Sequence, residues 1–209
     1  MKLSKLLPAR LRHRVYAALE PHIVRRLPDR RFMEQRIVPA LAADGAKRVL
    51  FVGCRSYTGH YPAVFARHGM ELWTCDIDPE AARFGAAGRH RTIDVCKVSA
   101  AHFPVRFDAI VFSGVVGFGV DEPAAVHAAL RALSGLLRSK GRLVLGWNSD
   151  RSADPLGDQR ITELFTPRPL AGVPVRARFD TVTHVYDFLA PTPVQAASLA
   201  RAERQRLTS

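Results

Sequence analysis

The stretch spanning residues 48–78 constrains the fold of this chain more than any other. An apolar run, Val49-Leu50-Phe51-Val52, ends on Gly53-Cys54, and twenty-three residues after Gly53 comes Asp76, followed by Asp78. The layout is that of a strand, a tight turn, a helix and a second strand closed by a carboxylate. An open α/β sheet holds the adenosine half of a cofactor in this way, with backbone amides near one end and an acid placed to take two ribose hydroxyls. The turn departs from that pattern: Arg55, Ser56 and Tyr57 stand where a glycine-rich loop is expected.

Downstream, strand and helix patterns alternate at the pace of a parallel, doubly wound sheet. Strands are expected over Arg48–Val52, Glu71–Asp76, 89–94, 107–112 and 142–147. The third is short and polar enough for an edge, whereas Ala109-Ile110-Val111-Phe112 reads as buried on both faces. A helix over 59–67 is stopped by Gly69, and Asp78 caps a short helix that opens at Pro79. Asp121-Glu122-Pro123 starts a longer one, whose stripe of Val126, Leu130, Leu133 and Leu137 is ended by Gly141. A short helix over 158–164, a closing strand pair (173–179 and 183–189) and a helix over 194–207 complete the pattern. The expected fold is α/β: a doubly wound, mostly parallel Rossmann-like sheet of about seven strands with a C-terminal antiparallel pair. Residues 46–191 form that domain, preceded by a basic helical extension (1–45) and followed by a helical tail (192–209).

With 209 residues, 47% of them apolar, the chain suits one domain with an appendage. The extension holds two amphipathic patterns. The first lies between Pro8 and Pro21; the second starts near Asp29 as N-cap, places Phe32, Met33, Ile37 and Leu41 on one side, is kinked by Pro39 and ends at Gly45. The net charge of +12 is concentrated here, since residues 1–36 carry ten Lys or Arg against Glu20, Asp29 and Glu34. Two readings stand: a leader that contacts an acidic protein, nucleic acid or an anionic membrane surface, or a solvated extension. Cys54, Cys75 and Cys96 lie in or beside strands, which points to reduced structural thiols and to neither a disulfide framework nor a metal site. No apolar run reaches the roughly 18 residues of a membrane span. Pro8 and five Lys or Arg within the first fourteen positions leave no apolar signal core. A cytoplasmic protein, with the leader allowing peripheral membrane attachment, is expected.

Over residues 48–191 the motif order resembles the class I S-adenosylmethionine-dependent methyltransferases. Val49-Leu50-Phe51-Val52-Gly53-Cys54 is similar to that superfamily's first motif, and Asp76 sits where those enzymes keep the ribose-binding acid. Asp94, after the third strand, matches the position near the adenine. Phe107-Asp108-Ala109-Ile110-Val111-Phe112-Ser113-Gly114 resembles the fourth-strand motif, and the segment from Leu137 through Gly141 to Leu145 the helix-to-strand passage usually written Leu-x-Pro-Gly-Gly. The resemblance implies S-adenosylmethionine as cofactor, with Gly53, Cys54, Arg55, Tyr57, Asp76, Ile77, Asp94, Ser113 and Gly114 around it. Departures are concentrated in the first motif. The acid two residues before the first glycine is Phe51, which removes a contact expected to orient the cofactor's amino-acid moiety, and Arg55 and Tyr57 replace the later glycines.

The implied function is methyl transfer to a small-molecule or glycan-type acceptor. The alternatives are a methyltransferase-like binding protein that has lost the cofactor and, more weakly, an NAD-dependent oxidoreductase, against which the glycine fingerprint is poorer still. Methyl transfer from a sulfonium needs alignment and exclusion of water more than a dedicated base, so no catalytic residue is assigned. For a hydroxyl acceptor, His60, Asp121 and Asp150 are the bases to test. The start of the first helix, around Tyr57 and His60, suits an anionic group such as a carboxylate. Trp147, Asn148 and Asp150 either line an acceptor pocket or form an ordinary turn. The loop 115–120 lacks the Asn-Pro-Pro-Tyr or Asp-Pro-Pro-Tyr sequence of enzymes that methylate amino groups of nucleobases, so a nucleic-acid substrate gains no support.

Overall fold

The computed structural model describes residues 22–207, so the helix expected between Pro8 and Pro21 lies outside the described residues. Its centre is a sheet of eight strands: β1 (Arg48–Val52), β2 (Glu71–Asp76), β3 (His90–Thr92), β4 (Phe107–Val116), β5 (Leu137–Asn148), β6 (Phe165–Pro167), β7 (Arg176–Arg178) and β8 (His184–Pro191). They lie in the order β3-β2-β1-β4-β5-β8-β6, with β7 also paired to β8. Strands β1 to β5 are parallel, and β8 enters antiparallel to β5. Strands β6 and β7 divide the far edge of β8 between them, β6 against Leu189–Pro191 and β7 against Val185–Asp187. β6 is the strand beyond the expected seven; three residues ending in a proline carry no period to read.

Successive residues of the central strands enter opposite layers of the core. Val49, Phe51, Val111 and Val144 face one layer; Leu50, Val52, Ile110, Phe112, Leu143 and Leu145 face the other. Both faces are covered, which is why these strands read as continuous apolar runs. The first layer is closed by α1 (Pro28–Phe32), the turn over Met33–Ile37 that follows it, α2 (Val38–Ala43) and α3 (Tyr61–Arg67), through Met33, Ile37, Leu41, Tyr61 and Phe65. The second is closed mainly by α4 (Pro123–Ser134), through Val126, Leu130 and Leu133, with help from Ile161 of α5 (Gln159–Thr162) and Leu199 of α6 (Pro193–Leu207).

Three local expectations are corrected. Asp29 does not cap the helix before the sheet: Leu27 is the N-cap, and Asp29 is buried inside the first turn. The irregularity of that helix is a π turn over Met33–Ile37, closed by the Val38 amide on the Met33 carbonyl. Pro39 follows at once. Its ring would collide with the carbonyl four residues earlier, and the wider turn makes room. Finally, α4 ends at Ser134 with Gly135 as C-cap, not at Gly141. Leu137 already pairs with Phe107, while the next matched pair is Arg142 with Ala109, so Gly141 belongs to a bulge of β5. Leu137 is buried as a strand residue, which mimics the end of a helical stripe.

Strand β4 runs four residues past its expected end. Ser113 pairs with Gly146 and Val116 with Trp147, leaving Gly114 and Val115 as a bulge. Bulges of this kind re-aim the chain next to sites, and this one lies at the carboxyl end of the sheet between β1 and β5.

Candidate functional site

The strand order reverses between β1 and β4, with β2 and β3 to one side and β5 to the other. In open α/β sheets the crevice above that switch point is where ligands bind. Two clefts meet there. One, of about 210 Å3, is lined by Gly53, Arg55, Asp76, Ile77, Asp94 and Gly114, together with Val52, Ile93, Val95, Cys96, Val115, Phe118, Gly119 and Val120. The other, of about 580 Å3, shares Arg55, Gly114 and Phe118 with it and continues past Arg30, Tyr57, Asn148 and His184.

Gly53 makes the turn out of β1 with φ +91°, and a Cβ there would stand 2.7 Å from Val115 Cγ2. Any other residue would be both strained and blocked. The residues after it need no glycine. Arg55 is extended at φ −140°, and Ser56–Thr58 forms a 3-10 turn in which the Arg55 amide donates to Thr58 Oγ1 (3.0 Å) and the Thr58 amide to the Arg55 carbonyl (2.9 Å). The missing glycines are thus replaced by a turn closed by a buried threonine. Phe51 is 2% exposed and meets Tyr61 edge-on at 5.2 Å, so the position of the missing acid has been absorbed into the core.

Asp76 closes β2 with its carboxylate 4% exposed. Oδ2 accepts from the Cys54 amide (2.7 Å) and from Arg55 Nη1 (3.0 Å), and Oδ1 accepts from the Asp78 amide (2.9 Å). Asp78 is the helix cap, accepting from the Glu80 amide, which leaves Asp76 for the crevice. Asp94 caps the turn Val95–Lys97 through the Cys96 amide (2.9 Å) and lies 3.6 Å from Lys97 Nζ.

The donor set and walls fit an adenosine. Ile77 and Phe118 are 68% and 48% exposed and line the cleft with Ile93 and Val95, an apolar slot for a flat base above a carboxylate for ribose hydroxyls. Arg55 lies across that carboxylate. Its side chain is half in solvent (51%), so the pair is of the partly exposed kind, worth about 1 kcal/mol or less, and a ribose can compete with it.

The second cleft holds groups that the sequence did not single out. Arg30, from α1, stacks over the Tyr57 ring at 5.0 Å, and its Nε lies 3.4 Å from Asp29 Oδ2. Burial opposes the Arg30 charge, yet Tyr186, Tyr57 and Asp29 together hold its pKa above the ordinary arginine value. His184 is 2% exposed. Asn148 Nδ2 donates to Thr183 Oγ1 (2.9 Å), which turns Asn148 Oδ1 towards His184 Nδ1 (2.9 Å) and makes that nitrogen the protonated one. His184 Nε2 then accepts from Ser113 Oγ at 3.3 Å. Burial, and then the Arg30 charge, push the His184 pKa down to about 3, so the ring is a neutral hydrogen-bonding strut and a poor base.

Of the residues singled out from the sequence, Gly53, Arg55, Asp76, Ile77, Asp94 and Gly114 share the first cleft. Tyr57 lines the second, and Cys54 lies with Tyr57 in a third depression beside Phe84. Ser113 faces His184 instead of lining either cleft. Burial, and then the nearby Asp76 charge, push the Cys54 thiol up to about 12, which leaves it unreactive. His60 is occupied by Glu34, 2.7 Å away, and Asp121 accepts from the Gly119 amide. Asn148 lines the second cleft, whereas Trp147 is buried and donates to Asp187.

No protein-family model matches the chain, and no curated protein matches it in sequence. Its architecture does match solved structures. An S-adenosylmethionine-dependent methyltransferase from Clostridium acetobutylicum superimposes with a TM-score of 0.63 at 10% identity, covering 86% of this chain and 98% of that one. The N-methyltransferase NodS from Bradyrhizobium japonicum, in complex with S-adenosyl-L-homocysteine, gives 0.61 at 17% identity over 79% and 89%. The 1,6-didemethyltoxoflavin-N1-methyltransferase from Burkholderia thailandensis gives 0.52 at 19% over 89% and 92%. The chain therefore has the fold of the class I S-adenosylmethionine-dependent methyltransferases, as its motif order implies.

Proposed function

We propose that this chain is an S-adenosylmethionine-dependent methyltransferase acting on a small-molecule acceptor, glycans included. The observation that carries the proposal is the buried Asp76 carboxylate at the base of an apolar slot above the switch point of the sheet. That slot has the chemistry for the adenosine end, and the larger cleft beyond Gly114 is left for an acceptor.

When bound, the cofactor supplies an electrophilic methyl group on a sulfonium. The chain's own residues position and dehydrate the site. Asp76 takes the ribose, Ile77 and Phe118 cover the base, and Gly114, pushed forward by the β4 bulge, lets the acceptor approach. Among the described residues lining the second cleft, His184 is held neutral and Asp29 is buried against Arg30, so neither is poised as a base. The acceptor best suited to such a cleft is one that needs no strong base, such as a neutral amine, whose proton can leave to water after transfer.

Calorimetry with S-adenosylmethionine and S-adenosylhomocysteine tests the proposal. Micromolar binding is expected, weakened about 10- to 100-fold in Asp76→Ala, as for the loss of hydrogen bonds to a charged group. No binding to folded protein would sink it. The Arg55–Asp76 contact favours one second reading, a methyltransferase-like binding protein in which Arg55 fills the ribose position. Arg55→Gly separates the two: on the enzyme reading it alters cofactor affinity only a few-fold, whereas on the second it creates binding absent from the parent.

A further inference from the structure

The adenosine end of the proposed ligand is fixed on the β2–β3 side of the crevice by Asp76 and Asp94. Its amino-acid end must cross the switch point over Gly53 and Gly114, and beyond Gly114 stands Arg30. The Arg30 guanidinium is divided in use. Its Nε lies 3.4 Å from Asp29 Oδ2 as an ion-pair contact without a hydrogen bond, and neither Nη1 nor Nη2 is hydrogen-bonded to a described residue. Nη2 lies 3.8 Å from the place a Cβ on Gly114 would take, at the boundary of the two clefts. The Tyr57 ring beneath holds the guanidinium plane in place. Of the other arginines near this boundary, Arg55 is tied to Asp76 and to the Cys54 carbonyl, Arg25 donates to the Tyr57 carbonyl, and Arg151 is stacked on the Phe118 ring. Helix α3, with seven residues, is too short to offer an anion site of its own.

We propose that Arg30 binds the carboxylate of the cofactor's amino-acid moiety, a role carried here by the helix ahead of the sheet and not by the first motif. This rests on the cofactor reading above. It accounts for the tolerance of the glycine-poor turn, because the anchoring of the ligand's carboxylate has moved to α1. An Arg fork with two free N–H edges matches a carboxylate, and the partly dry surroundings strengthen the contact.

The test compares S-adenosylhomocysteine with its decarboxylated analogue, S-adenosyl-thiopropylamine, by calorimetry on the full chain and on Arg30→Gln. The parent is expected to bind the carboxylate-bearing ligand about 10- to 100-fold more tightly than the analogue, and Arg30→Gln to remove that preference while leaving analogue affinity within about threefold. Arg30→Lys should restore part of the preference. Should Arg30→Gln unfold because Asp29 is left unpaired, the double variant Asp29→Asn with Arg30→Gln is read in its place. Equal affinity of the parent for both ligands, or an unchanged preference in the variant, would overturn the assignment while leaving the cofactor reading intact. Binding of neither ligand by the folded parent would overturn both.

Discussion

Gly146 lacks a side chain because two others occupy its space. A Cβ there would stand 2.7 Å from Ser113 Cβ and 2.8 Å from His184 Nε2, so the Ser113–His184 contact depends on it. Gly146→Ala is expected to cost about 1–3 kcal/mol by overpacking and to lower Tm by about 2–12 °C in a thermal melt. His184 itself sets a pH dependence. Its folded pKa of about 3 lies below the ordinary histidine value of 6.5, so between those limits the unfolded chain binds the extra proton. Stability should therefore fall as pH drops from 6.5 towards 3, by up to roughly 4–5 kcal/mol, and be flat above 6.5. Urea titrations at several pH values, with His184→Gln as the variant that removes this part of the slope and leaves the parts due to His90 and Asp154, check this. At this scale the sequence marked those residues whose spacing follows a strand end, Gly53, Asp76 and Asp94, and all three line the first cleft. Arg30 and His184 were hidden, since one is a further arginine in a basic leader and the other a histidine in an alternating strand. Only tertiary packing turns both towards Gly114.

Elements were legible where both faces of a strand are buried and where a cap is local. β1 and β2 match their expected bounds residue for residue, and Asp78 caps its turn as its place before Pro79 implies. What escaped were the bulges at Gly114–Val115 and at 138–141, because register is decided by the neighbouring strand. The β5–β8–β7 corner shows a second such dependence. Asp187, 1% exposed, accepts from Trp147 Nε1 at 2.8 Å and pairs with Arg176, which also reaches Asp154. Asp187→Ala strips the partner from a buried indole and an arginine, and is expected to destabilise by about 3 kcal/mol in denaturant unfolding. The exposed Arg160–Asp158 pair gives the contrast: Arg160→Ala should leave the melting temperature unchanged.

At the scale of the molecule, the doubly wound order followed from the alternation of strand and helix patterns, while the split edge of β6 and β7 did not, as three-residue strands carry no period. No helix among the described residues is long and apolar enough to cross a membrane. The leader reading concerns residues mostly outside those described, and a deletion tests it. Removing residues 1–21 takes away five Lys or Arg and one Glu, and should reduce co-sedimentation with anionic liposomes if the leader docks there. Unchanged sedimentation would leave it a solvated extension.

The division of the site between Asp76, behind β1, and Arg30, ahead of it, has a mechanical consequence. A ligand gripped at both ends acts as a cross-link between a helix that precedes the sheet and a strand within it. Occupancy would then slow local opening of that helix as well as of the crevice, so amide exchange over residues 28–43 should become slower on loading with S-adenosylhomocysteine, and not with the decarboxylated analogue.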